Sequence, residues 1–416
     1  MKKKKLLVFA NYFYPEVAST AQILTELCEG LTKHYAITVI CSVPCYTGEI
    51  EEKYKKEKYY YEEYHGIHIV RVRVKEFSKT NKKSRIFHIL SYFFHSIGAT
   101  FKVGKQDVVF TISQPPVLGG ILGNIGRRIV KGKLIYNIQD FNPEQIMAVD
   151  YSKNKWVLKI MMAFDKLVCK KASLVITVGR DMQKTLEQRF NHQKVPKNIV
   201  INNWTNESEI YPLNKNNKEI IEFKKKYDLE NKFIIMYSGN LGLYYDLENL
   251  IDLFMKFKDE EVVFAFVGDG AIKSKLEQKV KESQARNILF IPYQDKKDLI
   301  YSLNSADIHL VTNAKGIKGV SVPSKIYGCL ATNVPVLGIL ESGTEAYQII
   351  KESKCGVVCE TGNYKEIEQT LKMILQDKET FLKNHSTGRM YLETFFTKDK
   401  SINKYHEAIE SVISGD

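Results

Sequence analysis

The sequence predicts an α/β protein built from two consecutive domains, each a doubly wound parallel sheet. Strand-like apolar runs alternate with helical patterns of ten residues or more along the chain, which is typical of parallel sheets covered on both faces. The length of 416 residues exceeds the size at which a single hydrophobic core keeps growing. A polar stretch at Asn202–Asn231 interrupts the alternation, which then begins again, so we interpret this stretch as the linker.

The first half opens with a basic start and a short apolar run. We interpret this run as a first strand, because it is too brief for a signal peptide and no small-residue cleavage site follows it. The predicted strands of this half are Leu6–Ala10, Ile37–Ser42, Ile67–Val72, Val108–Ile112, Lys133–Ile138, Leu174–Val178 and Asn198–Ile201. The predicted helices are Thr20–Lys33, Lys83–Lys102, Pro116–Val130, Lys153–Cys169 and Arg180–Arg189.

The second half repeats the pattern after the polar stretch. Its predicted strands are Phe233–Tyr237, Val262–Val267, Ile288–Ile291, Ile308–Thr312 and Pro335–Ile339. Its predicted helices are Leu247–Phe257, Ala271–Ser283, Asp295–Ser305, one that begins at Ser324, Glu345–Lys354 and Tyr364–Gln376, followed by terminal helices. In sheets of this kind ligands bind outside the carboxyl ends of the strands, so those ends are where we look for a site.

Composition restricts the class of protein without selecting a function. A hydrophobic content of 44% and a charged content of 26% describe a globular chain. The formal net charge of +13 favours polyanionic partners: nucleic acid, anionic lipid or phosphorylated substrates. The lysines are dispersed and no nucleic-acid recognition motif is present, so we expect no nucleic-acid partner. The seven cysteines show no metal-ligand spacing, and we expect buried free thiols.

The helix Pro116–Val130 carries glycines at three- and four-residue spacings. These spacings bring the glycines close to one helix face, which allows the helix to approach a sheet closely. We therefore interpret Gly119, Gly120, Gly123 and Gly126 as a packing face rather than as a phosphate-binding loop.

Three turns of the second half follow predicted strands and carry residues suited to a phosphate. Gly239 and Asn240 follow the first of these strands, and Gly268 follows the second. Glycine lets the backbone turn sharply and approach a ligand closely. The third turn precedes Ser324 and Lys325. Three such turns at one sheet edge predict a phosphorylated ligand.

The third turn opens a helix at Pro323-Ser324-Lys325. Proline suits a first helical turn, because its missing N–H has no intrahelical partner there. Free amides, the positive end of the helix dipole, a hydroxyl and an ammonium would then converge, which describes an anion cradle. The alternative is an ordinary helix start with a solvated lysine.

In the first half, two segments follow strands and could meet a hydroxyl-bearing acceptor. Glu16, Ser19 and Thr20 follow the first strand and open a helix. Asp140 stands just past the strand Lys133–Ile138, among polar and aromatic residues. It suits an acceptor contact or an electrostatic role in glycosyl transfer. The alternative is an aspartate that caps the next helix.

Residues 79–102 mix basic side chains with Ile86, Phe87, Leu90, Phe93, Phe94 and Ile97. This combination is typical of a helix that lies on an anionic membrane surface. A core helix with solvated lysines explains the same pattern, and the sequence leaves both interpretations open.

Several segments, in this order, resemble a known family: FANYFYPE, TISQPPVLGG, YNIQDFNPE, VITVGRDMQKTL, INNWT, YSGNLG, FVGDG and VPSKIYGCLATNVPVL. Together they resemble the retaining nucleotide-sugar glycosyltransferases of family 4, over nearly the whole chain. The similarity is strongest to the branch with the WbuB-type and colanic-acid-type transferases of bacterial surface polysaccharides. The resemblance implies the GT-B fold, in which two Rossmann-like domains face each other across a cleft.

The resemblance also implies a division of labour between the domains. Residues 1–203, joined by the C-terminal helix at about 395–416, would bind the acceptor, and residues 204–394 would bind the nucleotide-sugar donor. Gly239 with Asn240, and Ser324 with Lys325, would hold the donor diphosphate.

Other positions receive roles by the same resemblance. Gly268 and Tyr293 would lie near the nucleotide base. Asp140 would lie near the transferred sugar, and the turn from Glu16 to Thr20 would face the acceptor or the donor phosphates.

The chain departs from the family pattern near the predicted phosphate site. Family members often carry two glutamates where Val320 and Gly328 stand here. They also often carry an arginine where this chain has Asn240, and a lysine where it has Tyr244 or Tyr245. Lys325 is then the obvious cation for the diphosphate, and Glu345 is a candidate for hydroxyl contacts.

The activity implied is transfer of a hexosyl or N-acetylhexosaminyl group, with retention of configuration, from a nucleotide-diphosphate donor. We expect this donor to be UDP-linked, with a GDP-linked donor as the alternative. An N-acetylated deoxysugar such as N-acetyl-fucosamine is one candidate. The acceptor would be a polyprenyl-diphosphate-linked saccharide at the cytoplasmic face of the cell membrane, during O-antigen, capsule or exopolysaccharide synthesis. No Asp-x-Asp metal motif is present, so we expect no metal and no cofactor. A sugar-nucleotide epimerase of the same fold and a basic nucleic-acid-binding protein are the alternatives.

Overall fold

The computed structural model describes residues 3–78, 81–149, 154–258 and 261–415. The chain divides into two compact units. The first unit combines the residues up to Asn202 with those from Asp399 onward, and the second comprises Asn203–Lys398. The domain limits expected from the sequence were 203/204 and about 394/395.

The first unit is an eight-stranded sheet with helices on its faces. Its strands are β1 (Lys4–Ala10), β2 (Tyr35–Ser42), β3 (Tyr59–Tyr64), β4 (Ile67–Val72), β5 (Val108–Ile112), β6 (Lys133–Ile138), β7 (Leu174–Thr177) and β8 (Asn198–Val200). Its helices are α1 (Ser19–Leu31), α2 (Lys82–Thr100), α3 (Leu118–Val130), α4 (Glu144–Ala148), α5 (Lys155–Lys171) and α6 (Arg180–Arg189), with the last helix of the chain, at Lys398–Ser414.

The strand order in this sheet is β3-β4-β2-β1-β5-β6-β7-β8. From β1 the chain first builds one side of the sheet, through β2, β3 and β4, and then the other side, beginning with β5. The topological switch point therefore lies between β1 and β5. Ligand sites of doubly wound sheets lie outside the carboxyl ends of the strands at such a point. The residues after β1 and β5, and those after the neighbouring strand β6, are therefore where we look for a site.

The antiparallel edge strand β3 was not predicted from the sequence. Its sequence, YYYEEY, shows no apolar alternation, because an edge strand buries only part of one face. It pairs antiparallel with β4 through a tight turn at His65 and Gly66, both of which have positive φ. Positive φ at both central residues is the geometry of a two-residue hairpin turn.

The glycine face of α3 packs on the sheet as expected. A Cβ atom at Gly123 would lie 2.3 Å from Thr111 Cγ2, and one at Gly126 would lie 2.6 Å from the Phe9 ring. A Cβ atom at Gly120 would lie 2.9 Å from the Tyr136 ring. The helix can therefore approach the sheet only because these positions lack side chains, and the packing interpretation is confirmed.

The second unit is a six-stranded parallel sheet. Its strands are β9 (Phe233–Ser238), β10 (Val262–Val267), β11 (Ile288–Ile291), β12 (Ile308–Thr312), β13 (Val336–Ile339) and β14 (Gly356–Cys359). Its helices are α7 (Lys218–Lys226), α8 (Leu247–Phe254), α9 (Lys273–Ser283), α10 (Lys296–Ser305), α11 (Lys325–Thr332), α12 (Glu345–Ser353), α13 (Tyr364–Gln376), α14 (Lys378–His385) and α15 (Gly388–Phe395). The helix Lys398–Ser414 is α16.

The strand order in the second sheet is β11-β10-β9-β12-β13-β14, so its switch point lies between β9 and β12. Several buried apolar side chains of β9, β10 and β12 pack in one core cluster beneath this edge. The turns after β9 and β10 and the loop after β12 therefore stand on a rigid base.

The stretch Asn202–Asn231, interpreted as the linker, contains α7, a helix that was not predicted from the sequence. Asn217 caps this helix by accepting hydrogen bonds from the amides of Glu219 and Ile220. Ile220 and Phe223 are buried, but the surrounding lysines and asparagines hide this apolar face in the sequence.

Three further observations bear on the class of protein. All seven cysteines are free and buried, as expected. Within the described part of the chain, no helix combines the length and the apolar composition needed to cross a membrane. Of the predicted membrane-surface stretch, residues 79 and 80 lie outside the described residues, and the remainder is α2 with its flanking residues.

Candidate functional site

Two glycine turns lie against each other at the carboxyl edge of the second sheet. Gly239 follows β9 and Gly268 follows β10, and both have φ of 140°. A Cβ atom at Gly268 would lie 2.1 Å from the carbonyl oxygen of Gly239. Only glycine permits this backbone conformation together with this close approach. The two turns therefore leave open backbone at the switch point, where a ligand can come close.

Lys325 lies beside these turns. It is the first residue of α11, and its side chain lies so close to the β9 turn that a Cβ atom at Gly239 would be 3.3 Å from Lys325 Cε. Its Nζ donates a hydrogen bond of 2.8 Å to the Tyr237 hydroxyl. The structure therefore brings together Gly239, Gly268 and Lys325, three of the predicted donor-site residues.

Two tyrosine rings surround the Lys325 ammonium group. Nζ lies 4.0 Å from the ring centroid of Tyr237 and 4.0 Å from that of Tyr245. Ring faces attract a cation through their quadrupole. The Tyr237 hydroxyl in turn donates a hydrogen bond of 2.7 Å to the carbonyl oxygen of Asn240. A directed chain of hydrogen bonds thus links Lys325, through Tyr237, to the β9 turn.

Lys325 is half-buried among the turns at this edge. This burial lowers the pKa of Lys325 to about 7, because a charged group loses its hydration there. Among the described residues, no carboxylate lies within ion-pair distance of it. A dianionic phosphate would supply the missing counter-charge and would raise the pKa of Lys325 again.

The start of α11 is only partly as expected. Ser324 precedes the helix, but its side chain accepts no capping hydrogen bond. The amides of Ile326 and Tyr327 already donate to the carbonyl oxygens of Pro323 and Ser324. The amides before them form the free end of the helix, which is where an anion would be bound.

The remaining predicted donor residues differ from one another in position and exposure. Tyr293 follows β11, two strands from β9, and is 49% exposed. Asn240 is exposed in the β9 turn. Glu345 begins α12 after β13 and is only 1% exposed, so its carboxylate is not presented to solvent. Their predicted contacts with base, phosphate and sugar hydroxyls stay predictions.

A further carboxylate shapes this edge and was missed from the sequence. Glu341 Oε2 accepts hydrogen bonds from the backbone amides of Gly316 and Lys318, at 2.8 and 3.1 Å. It fixes the loop after β12 next to the start of α12. A glutamate directly past a buried strand end was the available signal for it.

At the carboxyl edge of the first sheet, polar side chains from three neighbouring strand ends meet. The Thr20 hydroxyl donates a hydrogen bond of 3.0 Å to Gln114 Oε1. Gln114, which follows β5, also hydrogen-bonds the side chain of Asp140, which follows β6. The Ser113 hydroxyl accepts from the amide of Asp140 at 3.2 Å. Thr20 and Asp140 thus belong to one network, joined by a glutamine that the sequence analysis did not single out.

Asp140 is half-buried in this network. Burial raises its pKa to about 6, although the hydrogen bond from Gln114 acts in the opposite direction. A carboxylate with this pKa is ionised at neutral pH and becomes protonated in mild acid.

The other two predicted acceptor residues, Glu16 and Ser19, lie outside the network of Thr20, Gln114 and Asp140. Glu16 Oε1 accepts hydrogen bonds from the amides of Cys45 and Tyr46, at 2.5 and 2.9 Å, so this carboxylate fixes the loop after β2. Burial also raises the pKa of Glu16. Ser19 is exposed as the first residue of α1. Whether either side chain contacts an acceptor stays a prediction.

The described residues contain no group of three or more histidine, cysteine, aspartate or glutamate side chains that could hold a metal ion. The sequence expectation that no metal takes part is a separate statement about the reaction, and it stays a prediction.

Two parallel α/β units with glycine turns at a switch point define a fold of the GT-B class, and solved structures support this. The chain superposes over its full length on sucrose-phosphate synthase from Thermosynechococcus elongatus, with a TM-score of 0.76 and 12% identity, covering 100% of both chains. It superposes on Anabaena HepE, solved with UDP and glucose, with a TM-score of 0.71 and 14% identity, covering 98% of this chain and 100% of that one.

Sequence comparisons agree with this fold. Residues 217–389 match the family Glycosyl transferases group 1, and the chain therefore carries a group 1 glycosyltransferase domain in its second unit. It is 26% identical over 290 residues to WbjE of Pseudomonas aeruginosa, a protein named as a glycosyltransferase, covering 68% of this chain and 71% of that one. It is 24% identical to WcaI of Escherichia coli K12, named as a colanic acid biosynthesis glycosyl transferase, over 411 residues, covering 96% and 98%. The motif-based resemblance to glycosyltransferases of bacterial surface polysaccharides is confirmed, whereas retention of configuration stays a prediction.

Proposed function

We propose that this glycosyltransferase transfers a sugar from a nucleoside-diphosphate donor held at the carboxyl edge of the second sheet. The observation that carries the proposal is the position of Lys325, a desolvated cation beside two glycine turns at the switch point. The structural neighbour HepE has been solved with UDP and with UDP-glucose, which supports a UDP-linked donor.

Lys325 would act on the leaving group. Departure of the sugar develops negative charge on the diphosphate, and a fixed cation that meets this charge lowers the barrier. Tyr237 and Tyr245 hold the ammonium group in place before the donor arrives, so little reorganisation is needed. The open helix end at Ser324 and Lys325 would add backbone donors to the same phosphate.

Asp140 would act on the acceptor side of the reaction. Its carboxylate, oriented by Gln114, is suited to accept a hydrogen bond from a sugar hydroxyl or to stabilise positive charge developing on the transferred sugar. For retention, we propose a front-face transfer in which the donor phosphate takes the proton of the acceptor hydroxyl. No protein nucleophile is assigned.

We propose a polyprenyl-diphosphate-linked saccharide as the acceptor, in the synthesis of a bacterial surface polysaccharide at the inner face of the cell membrane. The relative WcaI, named for colanic acid biosynthesis, supports this setting. The outer face of α2 supports a contact with an anionic membrane: Phe87 and Phe94 are 63% and 62% exposed, and Lys82, Lys83 and Arg85 are exposed near them. Apolar side chains flanked by cations are typical of helices at lipid surfaces.

The proposal is tested by incubating the protein with UDP- and GDP-sugars and a lipid-linked acceptor extract, with and without EDTA. We expect one UDP-sugar to raise the melting temperature and to label the lipid fraction, with the anomeric configuration retained by NMR and no loss of rate in EDTA. Conversion of the donor into its epimer without label in lipid would indicate the epimerase instead. Loss of transfer in EDTA that Mg²⁺ restores would contradict the metal-free mechanism.

A further inference from the structure

A second helix of the first unit presents an apolar stripe that the proposed reaction does not use. On α5 the side chains of Trp156, Phe164 and Leu167 are 74%, 48% and 45% exposed. Val157 and Ile160 are exposed as well. Positions 156, 160, 164 and 167 follow the three- and four-residue spacing of one helix face. Large apolar side chains thus form a continuous stripe along the helix.

The opposite face of α5 anchors it in the unit. Asp165 is buried, accepts a hydrogen bond of 2.6 Å from the Tyr136 hydroxyl, and forms an ion pair with Arg189. Asn154 caps the start of the helix by accepting from the amides of Trp156 and Val157. The stripe therefore stands on a fixed helix with a defined orientation.

The exposed charges on α5 itself have one sign. The helix contains five lysines, and Asp165, its one acidic residue, is buried in the ion pair with Arg189. The exposed lysines are Lys155, Lys159, Lys170 and Lys171. The accessible surface of α5 is thus apolar and cationic, which is complementary to a surface that is apolar and anionic.

The position of α5 in the first unit also favours an apolar and anionic partner surface. Helix α3 packs against both α2 and α5, so the three helices form one layer on one face of the sheet. The exposed stripes of α2 and α5 belong to this layer, and Arg127 and Arg128 stand in the last turn of α3 between them. A stripe on one helix is also narrower than the roughly 20–30 residues per side of a stable protein interface.

We propose that α5 is a membrane-contacting helix, whose Trp156, Phe164 and Leu167 enter the interface of an anionic bilayer while its lysines bind lipid headgroups. The side chains of this stripe suit the headgroup boundary, where tryptophan is favoured and lysine reaches the anionic surface. The contact adds to that of α2. This proposal rests on the proposed function only for the location of the protein at a membrane, because the stripe and its charges are observed independently of the reaction.

Tryptophan fluorescence gives a direct test. The chain has two tryptophans, and Trp204 is buried, so a Trp204→Phe variant leaves Trp156 as the reporter. We expect its emission to shift to the blue and to be quenched by brominated lipid when vesicles of phosphatidylcholine with about 30% phosphatidylglycerol are added. We expect little change with phosphatidylcholine alone. An unchanged spectrum with both vesicles would overturn the proposal.

A partition measurement tests the stripe itself. We expect the variant Phe164→Ser with Leu167→Ser to co-sediment with the anionic vesicles at least tenfold more weakly than the wild type. The control is Met373→Ser, which removes an exposed apolar side chain (70% exposed) from the second unit and should leave partitioning unchanged. Circular dichroism checks that both variants fold. Undiminished partitioning of the folded double variant would overturn the proposal.

Two further measurements distinguish membrane contact from a dimer interface and from failure of the proposed function. If sedimentation velocity without lipid shows a dimer that the double variant dissociates, the stripe is an interface between copies and the membrane proposal is wrong. UDP binding, followed by thermal shift, should be the same in the double variant and the wild type. If UDP fails to bind the wild type, the proposed function fails, while the Trp156 signal still decides the role of α5.

Discussion

The carboxyl edges of the two sheets hold their key charges in opposite ways. At the first edge, Asp140 is oriented by hydrogen bonds in a network with Gln114, Thr20 and Ser113. At the second edge, Lys325 is held between two tyrosine rings beside bare glycine turns. Burial favours the uncharged form of both side chains. It raises the pKa of Asp140 to about 6 and lowers the pKa of Lys325 to about 7.

This difference indicates what each edge can bind. Polar side chains that already share hydrogen bonds with a carboxylate form a surface suited to hydroxyl groups, because each can exchange a partner for a sugar hydroxyl. Open glycine backbone, a helix end and a cation without a carboxylate partner form a surface suited to a polyanion. This difference supports the proposal that the acceptor sugar binds at the first edge and the diphosphate at the second.

The largest effect is expected from Lys325→Ala, which removes the cation of the second edge. We expect turnover to fall about 10²–10³-fold, the range observed when one preorganised group that stabilises transition-state charge is lost. The control is Lys372→Ala, which removes an exposed lysine of the same unit that pairs with Glu368. Normal turnover of a folded Lys325→Ala protein, at saturating donor, would remove Lys325 from the mechanism.

A second large effect is expected from Gly268→Ala. A Cβ atom would lie 2.1 Å from the Gly239 carbonyl oxygen, in a backbone conformation that disfavours side chains. We expect a loss of about 1–3 kcal/mol in the free energy of unfolding, together with weaker UDP binding. Gly362→Ala is the matched control, because Gly362 also has positive φ but a Cβ atom there would meet no neighbouring atom within 4 Å. Equal stability losses in the two variants would show that the contact between the turns is unimportant.

The effect of Asp140→Asn should be smaller and confined to turnover. The amide keeps the shape of the side chain but lacks its charge, and we expect about 10–100-fold slower transfer with unchanged UDP affinity. The wild-type rate should fall as the pH drops through about 6, because the carboxylate becomes protonated there. This acid limb should disappear in the variant. Weaker UDP binding in Asp140→Asn would contradict the separation of roles between the two edges.

The smallest effect is expected from Tyr237→Phe. This change keeps the ring over the ammonium group but removes the hydroxyl that accepts from Lys325 and donates to Asn240. The loss of about 1 kcal/mol expected for such a hydrogen bond corresponds to a roughly fivefold reduction in kcat/KM. Tyr211→Phe, at a partly exposed tyrosine of the same unit, should have no effect. Wild-type kinetics for Tyr237→Phe would show that the rings alone position Lys325.

Much of this architecture was predictable because it depends on local patterns. Buried parallel strands are continuous apolar runs, and Val262–Val267 and Val108–Ile112 have the predicted bounds. Glycine after a strand and proline before a helix mark turns directly, which is why Gly239, Gly268 and Lys325 could be found. Helix α7 was missed because its two buried side chains are outnumbered by lysines and asparagines nearby.

The tyrosine pair was not predictable in the same way. Tyr237 lies in a buried strand and there resembles any other core aromatic residue. Its functional contact is with a lysine 88 residues away, which only the folded chain brings near. Tyr245 entered the sequence argument only as the place of a missing lysine. Contacts set by tertiary structure rather than by spacing therefore define the part of the site that the sequence left open.

The central claim, that Lys325 is the cation for the donor diphosphate, is tested most directly by the protons taken up when UDP binds. The pKa of Lys325 is about 7 in the free protein, and a bound diphosphate would raise this pKa. At alkaline pH the amine is therefore neutral before UDP binds and charged afterwards. Calorimetry at pH 8.5 in buffers of different ionisation enthalpy should show uptake of close to one proton, falling toward zero at pH 6, and none in Lys325→Ala. Equal proton uptake in the wild type and in Lys325→Ala would contradict the account.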